Sequence, residues 1–197
     1  DNITSVIQDR KGIIWIGTFN GLVKFEGVHF EVFSKQNRKG FNSNSATAIL
    51  ESRDNILWVG TNGNGIAEYK KGYFKMITTR NGLISDYITS LQEDRNGNII
   101  IASRRGISIL NKNGTIEAPK FPGRQNAPVN KLFKQRNGNI LFSYETGELY
   151  EIKPDGVVPS PYAKYTRPYE ILAFHETKDG PIWFGSRYKG LFILDNN

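Results

Sequence analysis

The chain has no cysteine, one methionine and only two histidines in its 197 residues. Without cysteine there is neither a disulfide nor a thiolate metal site. His29 and His175 fall in different strands of different repeats, too few and too far apart to build the convergent ligand set that a metal needs. Long apolar runs are missing as well. The longest reach four or five residues, against the roughly 20 of a membrane-crossing helix, so no direct membrane contact is expected of this segment. Helical patterning is equally scarce: no stretch keeps apolar residues at three-and-four spacing for three turns, and Gly or Pro breaks nearly every window of that length. Acidic residues are outnumbered, 19 against 26 basic ones, for a net charge of +7. The surplus is diffuse; it favours anionic partners in general and does not call for nucleic acid. No Ser/His/Asp spacing, phosphate loop or zinc signature is found, so no catalytic residue, metal or cofactor is expected.

What the chain does have is repetition. "GIIWIGTFNGL" (12–22) returns as "NILWVGTNGNGI" (55–66), "GNIIIASRRGI" (97–107), "GNILFSYETGEL" (138–149) and "GPIWFGSRYKGL" (180–191). Aligned on Trp15, the column continues with Trp58, Ile100, Leu141 and Trp183, at intervals of 43, 42, 41 and 42 residues. A period of about 40 to 50 residues built from short strands is the mark of β-propeller blades. Each unit opens with an apolar run such as "ITSVIQD". A tight turn follows at Lys11-Gly12, Asp54-Asn55, Asn96-Gly97, Asn137-Gly138 or Asp179-Gly180, then the Trp15-column strand. A third strand starts at a second glycine, and after another turn comes a fourth. The fold predicted is all-β: a propeller of about five four-stranded antiparallel blades, one domain over 1–197. Its repeats run approximately 1–42, 43–85, 86–126, 127–167 and 168–197.

The string "ITSVIQDRKGIIWIGTFNGL" closely resembles the two-component regulator propeller repeat, whose consensus holds Asp, Gly, then Leu-Trp-Ile-Gly-Thr and Gly-Leu. "NGLISDYITSLQEDRNGN" (81–98) resembles its linker and first strand. Repeats one, two and five match well; repeats three and four keep Ile100–Ala102 and Leu141–Ser143 in place of Trp and Gly. The resemblance implies a periplasmic sensor region of a membrane-anchored hybrid two-component system, carrying a histidine kinase elsewhere and sensing an oligosaccharide. Relatives carry seven or more blades per ring. "DNIT" at the start matches the middle of "SDYIT" (85–89), and the fifth unit stops after its third strand. The expectation is an arc of a larger propeller, to be joined by its remaining blades or a second copy, with a small closed ring as the alternative.

Trp15, Trp58 and Trp183 are read as packing residues that fill the space between adjacent blades, with Gly17, Gly60 and Gly185 leaving room for them. His175 stands where other repeats have Ile7, Leu50 and Phe133 and is expected within a blade. Asp9 and Asp94 share a column before the first turn, where they cap that turn rather than act as paired catalytic carboxylates. Ligand binding is assigned to the face where the loops between second and third strands emerge together with the interblade links. The candidates there are Phe19, Arg104, Arg105, Tyr144, Arg187, Tyr188 and Lys189. Arginine forks hold carboxylate or sulfate, and aromatic faces stack on sugar rings, which points to an anionic oligosaccharide. A protein-binding scaffold, or a propeller lyase or hydrolase, are the competing readings.

Overall fold

In the computed structural model, residues 2–37, 40–119, 126–178 and 180–194 are described. The strands form five antiparallel sheets, four of four strands and a fifth with three among the described residues. Blade 1 uses Ile3–Gln8, Ile14–Thr18, Gly21–Phe25 and Phe30–Phe33; blade 2 uses Ala48–Glu51, Leu57–Gly60, Ile66–Lys70 and Tyr73–Ile77. Blade 3 has Ile88–Glu93, Ile99–Ser103, Gly106–Leu110 and the short Ile116–Glu117. Blade 4 has Val129–Lys134, Ile140–Tyr144, Leu149–Lys153 and Gly156–Pro159, and blade 5 has Ile171–Glu176, Ile182–Ser186 and Gly190–Leu194. The first strands of consecutive blades are neighbours and surround a central channel, so the fold is a β-propeller. Among the described residues helix is limited to a 3-10 turn at Thr79–Asn81 and one turn at Ala163–Thr166. Asp179 of the fifth turn pair, and parts of the links around 38–39 and 120–125, lie outside the described residues.

The aspartates cap the first hairpin turn as expected. Asp9 Oδ1 accepts the Lys11 and Ile13 amides, both at 2.9 Å, and Asp94 Oδ1 accepts those of Asn96 and Asn98, both at 2.8 Å. Blade 2 has Ser52 there, and Asn55 takes the turn's left-handed position at φ 57°.

Blades pack through fixed columns. Trp15, Trp58, Ile100 and Leu141 are all buried, each on the face turned to the following blade. Trp183 holds the same column in blade 5 and is only half-buried, because no described blade follows it. The neighbouring column makes the contrast sharper. Leu22, Ile66, Ile107 and Leu149 are at most 1% exposed, and Leu191 is 63% exposed. The rear face of blade 1 is similarly open: Ile3 is 63% exposed where Ala46, Ile88, Val129 and Ile171 are at most 3%. His175, cross-strand from Trp183, lies in a blade strand as expected but is exposed.

The glycines work differently from the expectation. A Cβ on Gly17 would come within 2.7 Å of the Ala46 carbonyl oxygen, and one on Gly60 within 2.6 Å of Ile88 Cγ2. Both neighbours belong to the next blade, at or just before its first strand, so Gly17 leaves room for the Ala46 backbone and Gly60 for the Ile88 side chain.

Polar links run in the same direction, from each blade to the next. At the channel end Thr4 Oγ1 donates to Ala46 O, Thr47 Oγ1 to Ile88 O at 2.8 Å and Thr89 Oγ1 to Val129 O at 2.6 Å. At the turn end the Arg10 guanidinium donates to Ser52 O at 2.9 Å, Arg53 to Asp94 O, and Arg136 to Lys178 O at 3.0 Å. At the channel end the acceptors belong to buried residues, Ala46, Ile88 and Val129, and are satisfied across blade boundaries that strand pairing does not reach.

Candidate functional site: the channel mouth

The loops between second and third strands do emerge with the interblade links. The Arg104 amide donates to Tyr87 O, that of Arg187 to Glu170 O, both at 3.0 Å, and Glu145 N to Pro128 O at 3.3 Å. On this face the channel opens into a mouth of about 920 Å³. One equivalent position of each blade lines it, namely Thr4, Thr47, Thr89, Asn130 and Leu172, with Ile3 and Ile88 beside them, and Phe19, Asn62 and Arg104 are added by the loops of blades 1, 2 and 3.

Of the candidate residues, Phe19 and Arg104 line the mouth. Phe19 is half-exposed, with its ring available to solvent. The Arg104 guanidinium lies 5.2 Å from the Tyr87 ring centroid and has no carboxylate partner among the described residues. A guanidinium resting on an aromatic face keeps its N–H fork free for an anion. Arg105 is exposed and does not line the mouth; its backbone amide donates to Ser103 Oγ at 3.2 Å.

Blade 5 repeats the arginine and not its surroundings. Arg187 occupies the position of Arg104, since Ser103 and Ser186 pair with equivalent first-strand residues. The residue before the first strand is Tyr87 in blade 3 and Glu170 in blade 5. Arg187 Nε sits 2.6 Å from Glu170 Oε2 and its Nη2 donates to Oε1 at 3.1 Å, so the carboxylate already fills the fork. Asn130 Nδ2 donates to the same Oε1 at 3.0 Å. Tyr188 is 85% exposed, with the Arg187 guanidinium 6.0 Å from its centroid. Lys189 Nζ lies 5.7 Å from the Tyr169 centroid.

Tyr144 is not on the rim at all. It ends the second strand of blade 4, is 2% exposed, and meets Phe142 and Tyr150 edge-on at 5.6 and 5.7 Å. Burial, with smaller contributions from Tyr150 and Glu148, pushes its phenol up to about 12. Its ring is a core element, with no free face for a sugar.

Sequence reasoning missed Tyr87, Glu170 and the Thr4-to-Leu172 column. The signal was there in the repeat alignment, as polar residues recurring one place into an apolar strand and as the residue preceding that strand. Neither histidine lies at the mouth, and the described residues hold no group of three or more His, Cys, Asp or Glu fit for a metal ion.

Residues 1–20, 40–63 and 82–105 match the family model described as "Two component regulator propeller". Three of the five repeats therefore carry that family's signature. No curated protein matches the sequence. Among solved structures, the extracellular domain assigned to a hybrid two component system of B. thetaiotaomicron superposes with a TM-score of 0.84 at 17% identity, covering 100% of this chain and 28% of the other. A second, assigned to a one component system of the same organism, gives 0.76 at 18% identity, with 100% and 29% covered. Virginiamycin B lyase from Staphylococcus aureus gives 0.75 at 16% identity, with 98% and 69% covered. At these identities the likeness is one of fold. The chain spans less than a third of either extracellular domain.

Proposed function

We propose that this chain is a ligand-sensing propeller segment of a hybrid two-component signalling protein, taking an acidic oligosaccharide at the channel mouth. The observation that carries the reading is Arg104: an exposed guanidinium seated on Tyr87, without an acidic partner, at the edge of a mouth that also presents Phe19. Its fork holds a uronic carboxylate or sulfate while the aromatic faces meet the sugar rings. The repeat family and the two component neighbours support the signalling context, in which a histidine kinase stands elsewhere in the chain and the propeller lies in the periplasm as part of a membrane-anchored sensor. Among the described residues no helix is long and apolar enough to cross a membrane. Further blades, or a second copy, cover the open faces marked by Ile3 and Leu191; contiguous exposed apolar surface of that kind invites a partner.

Calorimetry against matched acidic and neutral oligosaccharides tests the ligand class. Preference for the acidic series supports the reading, and equal or tighter binding of neutral sugars overturns it. Turnover of any sugar would instead favour the lyase or hydrolase alternative, and binding of protein alone the scaffold. Light scattering over a wide concentration range tests the open faces, with association expected and a monodisperse monomer contradicting them.

A further inference from the structure

The repeats provide an internal control at every position, and one position in blade 2 is incomplete. In blade 1 the Asp9 carboxylate gathers three N–H groups: the Lys11 and Ile13 amides on Oδ1 and Trp15 Nε1 on Oδ2, each at 2.9 Å. Blade 3 keeps the two amide bonds through Asp94; with Ile100 in the tryptophan column, Oδ2 takes Asn98 Nδ2 at 2.9 Å instead. Blade 2 keeps the tryptophan and lacks the carboxylate. Ser52 stands in its place, and its hydroxyl donates to Ile56 O at 3.2 Å. Trp58 is 6% exposed, and its Nε1 is buried without any hydrogen-bond partner. The amides of Asp54 and Ile56, counterparts of Lys11 and Ile13, have no side-chain acceptor among the described residues.

A buried donor left unpaired is costly, and here it stands beside two further donors that a carboxylate satisfies one blade away. Ser52 and Trp58 border a cleft of about 210 Å³ between blades 2 and 3, the counterpart of the one that Asp9 and Trp15 border between blades 1 and 2. Ile99 and Leu110 supply its apolar wall, and Lys75 and Lys112 stand at its edge with Asp54 and Glu68.

We propose that this cleft binds a small carboxylate whose oxygens take the place that Asp9 fills in blade 1, one on Trp58 Nε1 and the other on the Asp54 and Ile56 amides. Three donors in the arrangement that Asp9 spans in blade 1 suit a carboxylate better than water, which accepts fewer bonds and brings two protons of its own to be satisfied. The site is separate from the channel mouth, so its fate does not depend on the oligosaccharide reading.

The chain's three tryptophans give three indole N–H resonances, and Trp58→Phe assigns the one at issue. Sodium acetate, titrated against sodium chloride at matched ionic strength and pH, is expected to move the Trp58 resonance saturably while that of Trp15 stays in place. Ser52→Asp installs the residue that blades 1 and 3 carry and abolishes the response. Ser52→Asn, a neutral acceptor of the same shape, gives the same loss should the aspartate variant not fold. A Trp58 resonance unmoved by acetate overturns the proposal. So does a shift that chloride reproduces, or one that persists in a folded Ser52 variant.

Discussion

Arg104 and Arg187 hold the same position in blades 3 and 5, and one neighbouring residue separates their chemistry. Before the first strand blade 3 has Tyr87, whose ring supports the guanidinium and leaves its fork open. Blade 5 has Glu170, which closes on the fork at 2.6 Å. A loop cation in a repeat protein is therefore a ligand group or a structural ion pair according to the link that precedes its own blade. Counting basic residues along the rim does not distinguish the two.

The largest expected effect separates the buried tyrosine of blade 4 from the exposed one of blade 5 on stability. Tyr144→Ala removes a buried ring and should cost about 3 to 5 kcal/mol, whereas Tyr188→Ala, at an exposed site, should stay within about 0.5 kcal/mol by thermal or denaturant unfolding. Near-equal costs would return Tyr144 to the rim.

Next comes an exchange of environments. Tyr87→Glu gives Arg104 the carboxylate that Arg187 already has and should lower affinity for an acidic oligosaccharide by about tenfold or more, the scale of a lost charge-assisted hydrogen bond. Glu170→Gln works in reverse. It removes an exposed ion pair worth about 0 to 1 kcal/mol, so stability changes little and the freed Arg187 raises acidic-ligand affinity a few-fold. If both substitutions leave binding alone, the neighbouring residue is not what distinguishes the arginines.

The smallest effect is confined to alkaline pH. With the Tyr144 phenol raised to about 12, the folded protein keeps a proton that the unfolded chain releases near pH 10. The contribution is complete below about pH 10 and is lost as pH rises towards 12. Unfolding of wild type and Tyr144→Phe, followed across that range, should show the wild type losing stability relative to the variant as the pH rises.

The repeat made the blades legible, since turn pairs and apolar runs recur in register and each blade is built from local hairpins. Asp9 and Asp94 were readable as turn caps for the same reason. Contacts between blades were harder to see. The clearance at Gly17 and Gly60 serves residues of the next blade, Ala46 and Ile88, and Trp183 differs from Trp15 only by what covers it. On the rim, Phe19 and Arg104 were found from loop position and residue type. Tyr144 was misplaced because it stands in the column of Thr18, Ser103 and Ser186, the last residue of the second strand, and not in the loop that follows; Arg187 looked free because Glu170 was not read in its column.

The most direct measurement is calorimetric binding of one acidic oligosaccharide to wild type, Arg104→Ala, Arg187→Ala and the blade-side control Lys70→Ala, at low and moderate salt. The account predicts a loss of about tenfold or more for Arg104→Ala with a weaker salt dependence, and little change for the other two. Equal affinities in all four proteins, or a greater loss for Arg187→Ala than for Arg104→Ala, would contradict it.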